Sequence, residues 1–175
     1  MSLTPTKKVP LGYKAPDFKL PDTVSGKKMS LNELKGEKAT VVMFICNHCP
    51  YVKHVREELV GLANDYKDEG VGFIAISSND VEQYPEDSPE KMKELAKQLK
   101  FPFPYLYDES QEVAKAYDAA CTPDFSIFDE DLKCVYRGRL DDSRPGSDKP
   151  VTGKDIRDAL DAILAGKKVS EIQVQ

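Results

Sequence analysis

Residues 40–66 have the sequence TVVMFICNHCPYVKHVREELVGLANDY, in which a strand signal, a dithiol motif and a helix signal follow one another directly. Residues 40–45 form a continuous run of β-branched and apolar residues, which is typical of a strand buried on both faces. Apolar residues then recur at helical spacing over residues 51–66. This order predicts an α/β domain with the motif Cys46-Asn47-His48-Cys49 at a strand-to-helix junction.

The rest of the chain continues this alternation and indicates a mixed sheet. Residues 71–78 resemble a second buried strand, and Ser88-Pro89 is the expected start of a helix. Residues 125–128 and 133–137 alternate like the strands of a hairpin, and Thr152 is expected to cap a last helix. Capping boxes predict two short helices, one over residues 30–34 and one over residues 108–117. A short extended segment is predicted at residues 104–107. The fold class is therefore α/β, with a mixed central sheet flanked by helices.

Length and composition indicate a single globular domain. The chain has 175 residues, within the usual size of one domain, and no repeat or low-complexity linker divides it. Hydrophobic residues make up 40% and charged residues 31%, which is enough apolar content for a packed core. We expect a loosely held N-terminal segment over residues 1–12, one domain over residues 13–168 and a C-terminal tail over residues 169–175.

The charge balance argues against some classes of partner. Lysine and arginine number 25 against 30 aspartates and glutamates, so the net charge is −5 and the pI is near 5.2. Binding to nucleic acid phosphates needs a basic face, so no nucleic-acid partner is expected. No apolar run approaches the ~18 residues of a membrane span, and the first residues lack the apolar stretch of a signal peptide. We therefore expect a cytoplasmic protein without a membrane partner.

The two cysteines of the motif have the spacing and position of a redox site. A C-x-x-C pair at a strand-to-helix junction of an α/β chain is typical of thiol–disulfide chemistry. The helix N-terminus carries unpaired N–H groups and partial positive charge, which favour a thiolate. We expect Cys46 to be the more exposed thiol, while the helix shields Cys49. His48, when protonated, would favour the thiolate and make the disulfide more oxidising.

A metal site is the alternative interpretation of the same residues. Zinc could take Cys46, Cys49 and one of His48 or His54, and thiolates also suit Cu(I). A four-ligand zinc site would need a second ligand pair, and both histidines lie within the same short segment. We therefore favour redox chemistry, with no metal and no cofactor, and keep a copper- or zinc-binding thiol module as an alternative.

Four motifs together carry a family resemblance. They are Ala15-Pro16-Asp17-Phe18-x-Leu20, Leu31-x-x-Leu34-Lys35-Gly36, the dithiol motif with its following proline, and Thr122-Pro123. From Gly12 to Lys168 the chain resembles the alkyl hydroperoxide reductase/thiol-specific antioxidant (AhpC/TSA, redoxin) branch of the thioredoxin superfamily, in particular members with Cys-Asn-His-Cys-Pro. The resemblance implies a thioredoxin fold with an N-terminal extension and an insertion before the C-terminal hairpin.

The resemblance also implies roles for single residues. Cys46 would be the nucleophile and Cys49 the resolving thiol. Pro123 would follow a cis peptide bond and face the dithiol, and Thr122 would offer backbone hydrogen bonds to a bound substrate. Cys121 is a possible auxiliary thiol next to that pair. The implied partners are a protein or small-molecule disulfide and a thiol that reduces the enzyme again.

The chain departs from the family pattern at three points, and a peroxidase remains an alternative because of the Cys-Pro pair. Ile45 stands where thioredoxins have tryptophan, and residues 40–45 contain no carboxylate to accept the proton of the resolving thiol. The peroxidase motif Pro-x-x-x-Thr-x-x-Cys is absent, whether it is counted back from Cys49 or from Cys46. Cys49-Pro50 nevertheless keeps the Cys-Pro pair of peroxiredoxins. In that alternative a hydroperoxide is the substrate and either Cys49 or Cys46 attacks it; where Cys49 attacks, Cys46 resolves.

The other candidates have structural interpretations. Cys134 alternates within a strand and is expected in the core, and His54 is expected to be solvated. The acidic residues 82–90 are most simply a solvated loop. Residues 141–145 (DDSRP) are expected to shape a loop or the rim of the site.

Overall fold

The computed structural model describes residues 11–78, 82–119, 123–141, 143 and 145–169. The helices and strands are, in chain order, β1 (Lys19–Pro21), β2 (Lys28–Ser30), α1 (Leu31–Leu34), β3 (Ala39–Phe44), α2 (Pro50–Tyr66), β4 (Val71–Ser77), α3 (Pro89–Leu99), β5 (Tyr105–Tyr107), α4 (Glu112–Ala116), β6 (Asp124–Asp129), β7 (Cys134–Gly138) and α5 (Lys154–Leu164). No helix within these ranges is both long and apolar enough to cross a membrane.

A five-stranded mixed sheet forms the centre of the molecule, with the strands in the order β5-β4-β3-β6-β7. Strand β3 runs parallel to β4 and antiparallel to β6, β4 and β5 are parallel, and β6 and β7 form an antiparallel pair. A separate antiparallel hairpin, β1-β2, precedes this sheet. The predicted mixed α/β class is confirmed.

Strand β3 is central because both of its faces are covered. All six of its residues are buried. Val41 and Met43 belong to the apolar cluster that includes the buried face of α2, whereas Val42 and Phe44 belong to the cluster on the opposite face with Leu31. This two-sided burial explains the uninterrupted apolar run in the sequence. It also fixes the end of β3, where the dithiol motif begins.

Local capping explains the starts of two helices. The Ser30 side chain accepts a hydrogen bond from the backbone N–H of Glu33, and the Glu33 carboxylate accepts one from the backbone N–H of Ser30, so α1 has a complete capping box. The Ser88 side chain accepts from the N–H of Lys91, and Pro89 occupies the first position of α3. Both predicted helix starts are confirmed.

The helix expected to begin at Asp108 begins later. Helix α4 starts at Glu112, after Gln111 in a left-handed conformation with φ 65°. The Asp108 carboxylate instead accepts hydrogen bonds from the Ser78 hydroxyl and from the N–H of Ala114. The predicted capping box is therefore wrong, because the helix begins four residues later and the Gln111 side chain donates to the carbonyl of Ser78 instead of accepting from Asp108.

Gly36 and Gly72 allow two backbone segments to touch beside β3. A Cβ atom on Gly72 would lie 2.5 Å from the carbonyl oxygen of Leu34 and 2.7 Å from the nitrogen of Gly36. We expect Gly72→Ala to lower the free energy of unfolding by about 1–3 kcal/mol, because both neighbours are backbone atoms that must shift. Urea unfolding measures this change.

Gly61→Ala is the matched control for that substitution. Gly61 lies within α2, and a Cβ atom there meets nothing within 4 Å. Alanine in a helix interior is about 1 kcal/mol more favourable than glycine, so this variant should be at least as stable as the parent. If Gly72→Ala were as stable as Gly61→Ala, the close approach would have no energetic consequence.

Candidate redox site

The dithiol motif lies at the junction of β3 and α2, as predicted. The N–H of Ile45 still bonds to the carbonyl of Ile76, at 3.0 Å, so the path of the strand continues up to the motif. Cys49 is the N-cap residue of α2, and Pro50 takes the first helical position. Both motif cysteines are thiols in this structure. The N-terminus of α2, with its partial positive charge, is thus placed beside the dithiol.

The expected difference in exposure between the two cysteines is wrong. The exposed fraction is 0% for Cys46 and 4% for Cys49. Both belong to the apolar cluster between the sheet and α2, because Cys46 follows the buried strand so closely that it is still within the core. Solvent exposure therefore does not distinguish nucleophile from resolving thiol.

The carboxylate of Asp87 binds across the motif from a distant part of the chain. Its Oδ1 accepts hydrogen bonds from the backbone N–H groups of Asn47, at 2.7 Å, and His48, at 3.0 Å. Its Oδ2 pairs with Nδ1 of the His48 ring. Asp87 is 0% exposed and ends a short 3-10 turn over Pro85–Asp87. One buried carboxylate therefore holds both the backbone and the ring of the motif.

Asn47, Tyr105 and Tyr84 make further contacts around Asp87 and the motif. The Asn47 amide donates to the carbonyl of Glu86, at 2.8 Å, and its oxygen accepts from the Tyr105 hydroxyl, also at 2.8 Å. Burial raises the pKa of Tyr105 well above its usual value of 10, and Cys46 and Asp87 raise it further, so this hydroxyl remains a donor. The His48 ring stacks on Tyr84, with ring centres 4.1 Å apart and planes 5° apart.

The prediction of a solvated acidic loop over residues 82–90 is wrong at Asp87. Exposed acidic residues flank it, but Asp87 itself is buried against the motif. The lack of a carboxylate in residues 40–45 indicated that one, if needed, had to come from elsewhere. Nothing in the local sequence distinguishes Asp87 from Glu82, Glu86 or Glu90. Tyr84, which also contacts the motif, was missed for the same reason.

Three potential metal ligands meet at this point. The Cys46 sulfur, a ring nitrogen of His48 and a carboxylate oxygen of Asp87 all lie within 4.8 Å of one another. Asp87 thus supplies a third potential metal ligand from a distant part of the chain, which the motif alone does not offer. Its Oδ1 already accepts two N–H groups, however, and its Oδ2 is bonded to the imidazole. Both carboxylate oxygens of Asp87 are therefore already engaged in hydrogen bonds, and the group has the form of a hydrogen-bonded His–Asp pair beside a thiol.

Pro123 lies at the end of the sheet that carries the dithiol. The antiparallel register pairs Phe44 with Asp124, so Pro123 and Cys46 leave the sheet at the same end. Pro123 is half-buried. Cys121 and Thr122 lie outside the described residues. Their roles, and the cis peptide bond expected before Pro123, therefore stay predictions.

The buried guanidinium of Arg137 anchors the chain on both sides of that segment. It donates to the carbonyls of Tyr117, at 2.5 Å, and Asp118, at 2.8 Å, and to the carboxylate of Asp124, at 2.9 Å. Burial raises the pKa of Asp124 to about 6 even though Arg137 opposes this. Burial lowers the pKa of Arg137, but Asp124 and Tyr13 raise it by more. The sequence predicted only a strand residue at this position.

The segment after the hairpin supports α2 and α5. The Nε2 of His54 bonds to the Ser143 hydroxyl at 2.7 Å, so the expectation of a solvated His54 is wrong. Oδ2 of Asp141 accepts from the N–H groups of Thr152 and Gly153, and Gly153 rather than Thr152 is the N-cap residue of α5. The predicted Thr152 cap is wrong because a carboxylate from the preceding loop binds there. This agrees with the expected loop-shaping role of Asp141 and Ser143.

Cys134 is a core residue, as predicted. It is 1% exposed on β7, within the cluster on the face of the sheet opposite α2. Burial raises the pKa of its thiol to about 11. A thiol of this kind stays protonated near neutral pH and is a poor nucleophile.

Comparison with known proteins identifies a matching family and two similar structures. The model of the AhpC/TSA family matches residues 11–137. An uncharacterized conserved protein from Geobacillus kaustophilus is 66% identical, with 94% of this chain and 87% of that chain covered and a TM-score of 0.93. A hypothetical protein from Sinorhizobium meliloti 1021 is 47% identical, with coverage of 96% and 91% and a TM-score of 0.93. No curated protein matches the chain.

A more distant structure confirms the fold. The thioredoxin domain of a thiol-disulfide oxidoreductase from Bacteroides vulgatus is 21% identical and has a TM-score of 0.65, with 86% of this chain and 97% of that chain covered. At this identity the likeness concerns the fold alone. The thioredoxin fold expected from the sequence motifs is therefore confirmed.

Proposed function

The chain belongs to the AhpC/TSA family and is an oxidoreductase, and from that premise we propose that it exchanges thiols and disulfides through Cys46 and Cys49. The observation that carries this proposal is the position of the dithiol. Cys49 caps α2 and Cys46 lies beside the His48–Asp87 pair, so both sulfurs are next to groups that influence thiolate formation.

In the proposed reaction the reduced enzyme transfers two electrons to a substrate disulfide. The Cys46 thiolate attacks one substrate sulfur, the substrate S–S bond breaks, and the first substrate thiolate leaves and takes up a proton. Cys49 then loses its proton and attacks the Cys46 sulfur, which closes the Cys46–Cys49 disulfide and releases the second thiol. A cellular thiol returns the enzyme to its reduced form. We propose that Thr122 and Pro123 hold the substrate chain and that the reaction serves redox balance in the cytoplasm.

Cys46 is the preferred nucleophile because of its neighbours and not because of exposure. Its sulfur belongs to the three-residue group with His48 and Asp87. A protonated imidazole close to a sulfur stabilises the thiolate, which is the attacking species. The same positive charge favours the reduced form of the pair and makes the disulfide a stronger oxidant. His48 is therefore proposed to tune the redox potential.

A thiol peroxidase is the second candidate, and the position of Cys49 favours it. Cys49 is at the N-cap of α2 and is followed by Pro50, which keeps the Cys-Pro pair seen in the sequence. In this reaction the Cys49 thiolate attacks the O–O bond of a hydroperoxide, forming a sulfenic acid and releasing an alcohol. Cys46 then forms the disulfide and releases water. A thiol reductant is needed in both candidate reactions.

The reduction potential of the Cys46–Cys49 pair tests whether the pair is catalytic. We expect a value between about −270 mV, as in thioredoxin, and about −180 mV, as in protein disulfide isomerase, because His48 favours the reduced form. Equilibration in glutathione buffers, followed by mass spectrometry of the alkylated protein, measures it. A value below about −300 mV would identify a structural disulfide and contradict the proposal.

A further inference from the structure

The Cys46 sulfur, a ring nitrogen of His48 and an oxygen of Asp87 lie within 4.8 Å of one another, and Asp87 pairs with Nδ1 of the His48 ring. We propose that His48 exchanges a proton with the Cys46 sulfur and that Asp87 is a positioning residue that acts through His48. This inference rests on the proposed function, because it assigns a role within the same thiol–disulfide exchange. It adds Asp87, a residue from outside the motif, to the machinery of the reaction.

The hydrogen bonds of Asp87 hold the His48 imidazole in one orientation. Two backbone N–H groups of the motif bind its Oδ1 and so prevent the carboxylate from rotating. Its Oδ2 pairs with Nδ1 of His48, which fixes the ring and directs the Nδ1 proton to the carboxylate. The stacked ring of Tyr84 restrains the plane of the imidazole. Three independent contacts therefore hold the imidazole in place, and one of its ring nitrogens lies within 4.8 Å of the Cys46 sulfur.

In the proposed exchange the His48–Asp87 pair first accepts one proton and then returns it. The proton of the Cys46 thiol moves to His48, and the resulting thiolate attacks the substrate disulfide. A Cys46–substrate S–S bond forms while the substrate S–S bond breaks, and the electron pair leaves with the first substrate sulfur. His48 then returns its proton to that leaving thiolate. The imidazole is regenerated in the same step that releases the first product thiol.

Other titratable and charged groups surround the same motif, and the test must separate them from Asp87. Burial raises the pKa of Tyr105, Cys46 and Asp87 raise it further, and Arg56 lowers it. The Glu86 side chain is largely exposed and lies 3.8 Å from the ammonium of Lys53. Cys49 belongs to the motif, and Tyr84, Glu82 and Glu90 belong to the segment that contains Asp87. Glu86→Gln therefore removes a negative charge next in sequence to Asp87 without touching the Asp87–His48 contact.

Asp87→Asn tests the proposal because the two possible roles of the carboxylate predict opposite signs. A carboxylate that acted on the thiol directly would disfavour the thiolate, so its removal would speed alkylation of Cys46. A carboxylate that acts through His48 supports the imidazolium that stabilises the thiolate. In that case its removal slows alkylation. Asparagine keeps one oxygen for the two backbone N–H groups but cannot accept the Nδ1 proton through its nitrogen.

The measurement is the rate at which iodoacetamide modifies Cys46 between pH 5 and 9, resolved by peptide mass spectrometry in a Cys49→Ser background. We expect Asp87→Asn to slow the reaction about tenfold at pH 7 and to move the profile about one pH unit higher. We expect His48→Phe, which keeps a ring to stack on Tyr84, to give the same change. Glu86→Gln should follow the parent within about twofold, since its charge is exposed and screened.

The double variant decides whether Asp87 acts through His48. If it does, adding Asp87→Asn to His48→Phe changes the alkylation rate no further. A faster rate for Asp87→Asn, a rate equal to that of Glu86→Gln, or fully additive losses in the double variant would each overturn the proposal. If Asp87→Asn does not fold, the shift in His48→Phe still decides whether the imidazole acts on Cys46. The readout needs no disulfide substrate, so it stands even if the chain proves not to be a reductase.

Discussion

Replacing Cys46 by serine is expected to abolish disulfide exchange, whereas replacing Cys49 by serine is expected to trap the substrate. Without Cys46 there is no attacking sulfur in the proposed reaction. Without Cys49 the mixed disulfide between Cys46 and the substrate has no resolving thiol and accumulates as a covalent adduct. Mass spectrometry of the protein after mixing with a protein or small aromatic disulfide detects the adduct and locates it.

The same two variants separate the reductase from the peroxidase. A peroxidase that uses Cys49 predicts that Cys46→Ser still consumes one equivalent of hydroperoxide and forms a sulfenic acid at Cys49. It also predicts that Cys49→Ser traps no disulfide substrate. Cys134→Ser is the matched control, because burial raises the pKa of that thiol to about 11 and keeps it out of the reaction. Rapid reaction of Cys46→Ser with peroxide, together with no adduct in Cys49→Ser, would show that the assigned roles are reversed.

Removal of Arg137 is expected to cause a large loss of stability. Arg137→Met leaves the Asp124 carboxylate buried without its cation and leaves the carbonyls of Tyr117 and Asp118 without their donor. Breaking a buried ion pair on one side typically lowers the free energy of unfolding by about 3–5 kcal/mol. Urea unfolding at pH 8 should show a loss of this size. Adding Asp124→Leu should recover part of it, because an apolar pair of similar volume carries no buried charge.

The loss of stability in Arg137→Met should be larger at pH 8 than at pH 5. Burial raises the pKa of Asp124 from its usual 3.8 to about 6, so the folded protein binds this proton more tightly than the unfolded chain. The stability that this group contributes is therefore fully present below about pH 4 and is lost as the pH rises through about 6. At pH 5 a neutral Asp124 depends less on Arg137, and the loss in Arg137→Met should be smaller than at pH 8.

Arg139→Met is the matched control for Arg137→Met. Arg139 pairs with Asp155 at 2.5 Å, but both side chains are about a quarter exposed. An ion pair in contact with solvent typically contributes up to about 1 kcal/mol, so this substitution should cost far less. Equal losses in the two variants, or a loss in Arg137→Met that does not change between pH 5 and pH 8, would contradict the assigned role of the buried pair.

The parts of the fold that the sequence predicted are those whose signals are local. The apolar run of β3 and the capping residues Ser30 and Ser88 act within a few residues of chain, and each is where the pattern placed it. Asp108 and Thr152 carry equally good local signals but were assigned wrongly. Asp108 is occupied by a contact with the end of β4, and the Asp141 carboxylate binds the N–H of Thr152. Long-range hydrogen bonds had overridden the local preference.

The same distinction applies to the site. The dithiol and His48 are contiguous, so the sequence located them. Asp87 is 40 residues away from Asn47 in the chain, and its acidic neighbours gave the whole segment the appearance of a solvated loop. The burial of Cys46 was also missed, since the exposure of a residue after a strand depends on what packs over the sheet end. Hydrogen bonds to residues distant in the chain, and not its residue type, distinguish Asp87 from its neighbours.

Because Asp87 is far from the motif in the sequence, the proposed reactivity of the dithiol depends on the tertiary fold. The two cysteines and His48 are contiguous in the chain, but the carboxylate that pairs with the ring lies in the turn after β4 and reaches the motif only through tertiary structure. If Asp87 has the role proposed above, the same cysteines are expected to react as ordinary thiols in a chain where this segment has opened. The specialised reactivity of the motif is thus tied to the integrity of the tertiary structure, so a damaged or incomplete molecule loses it together with its fold.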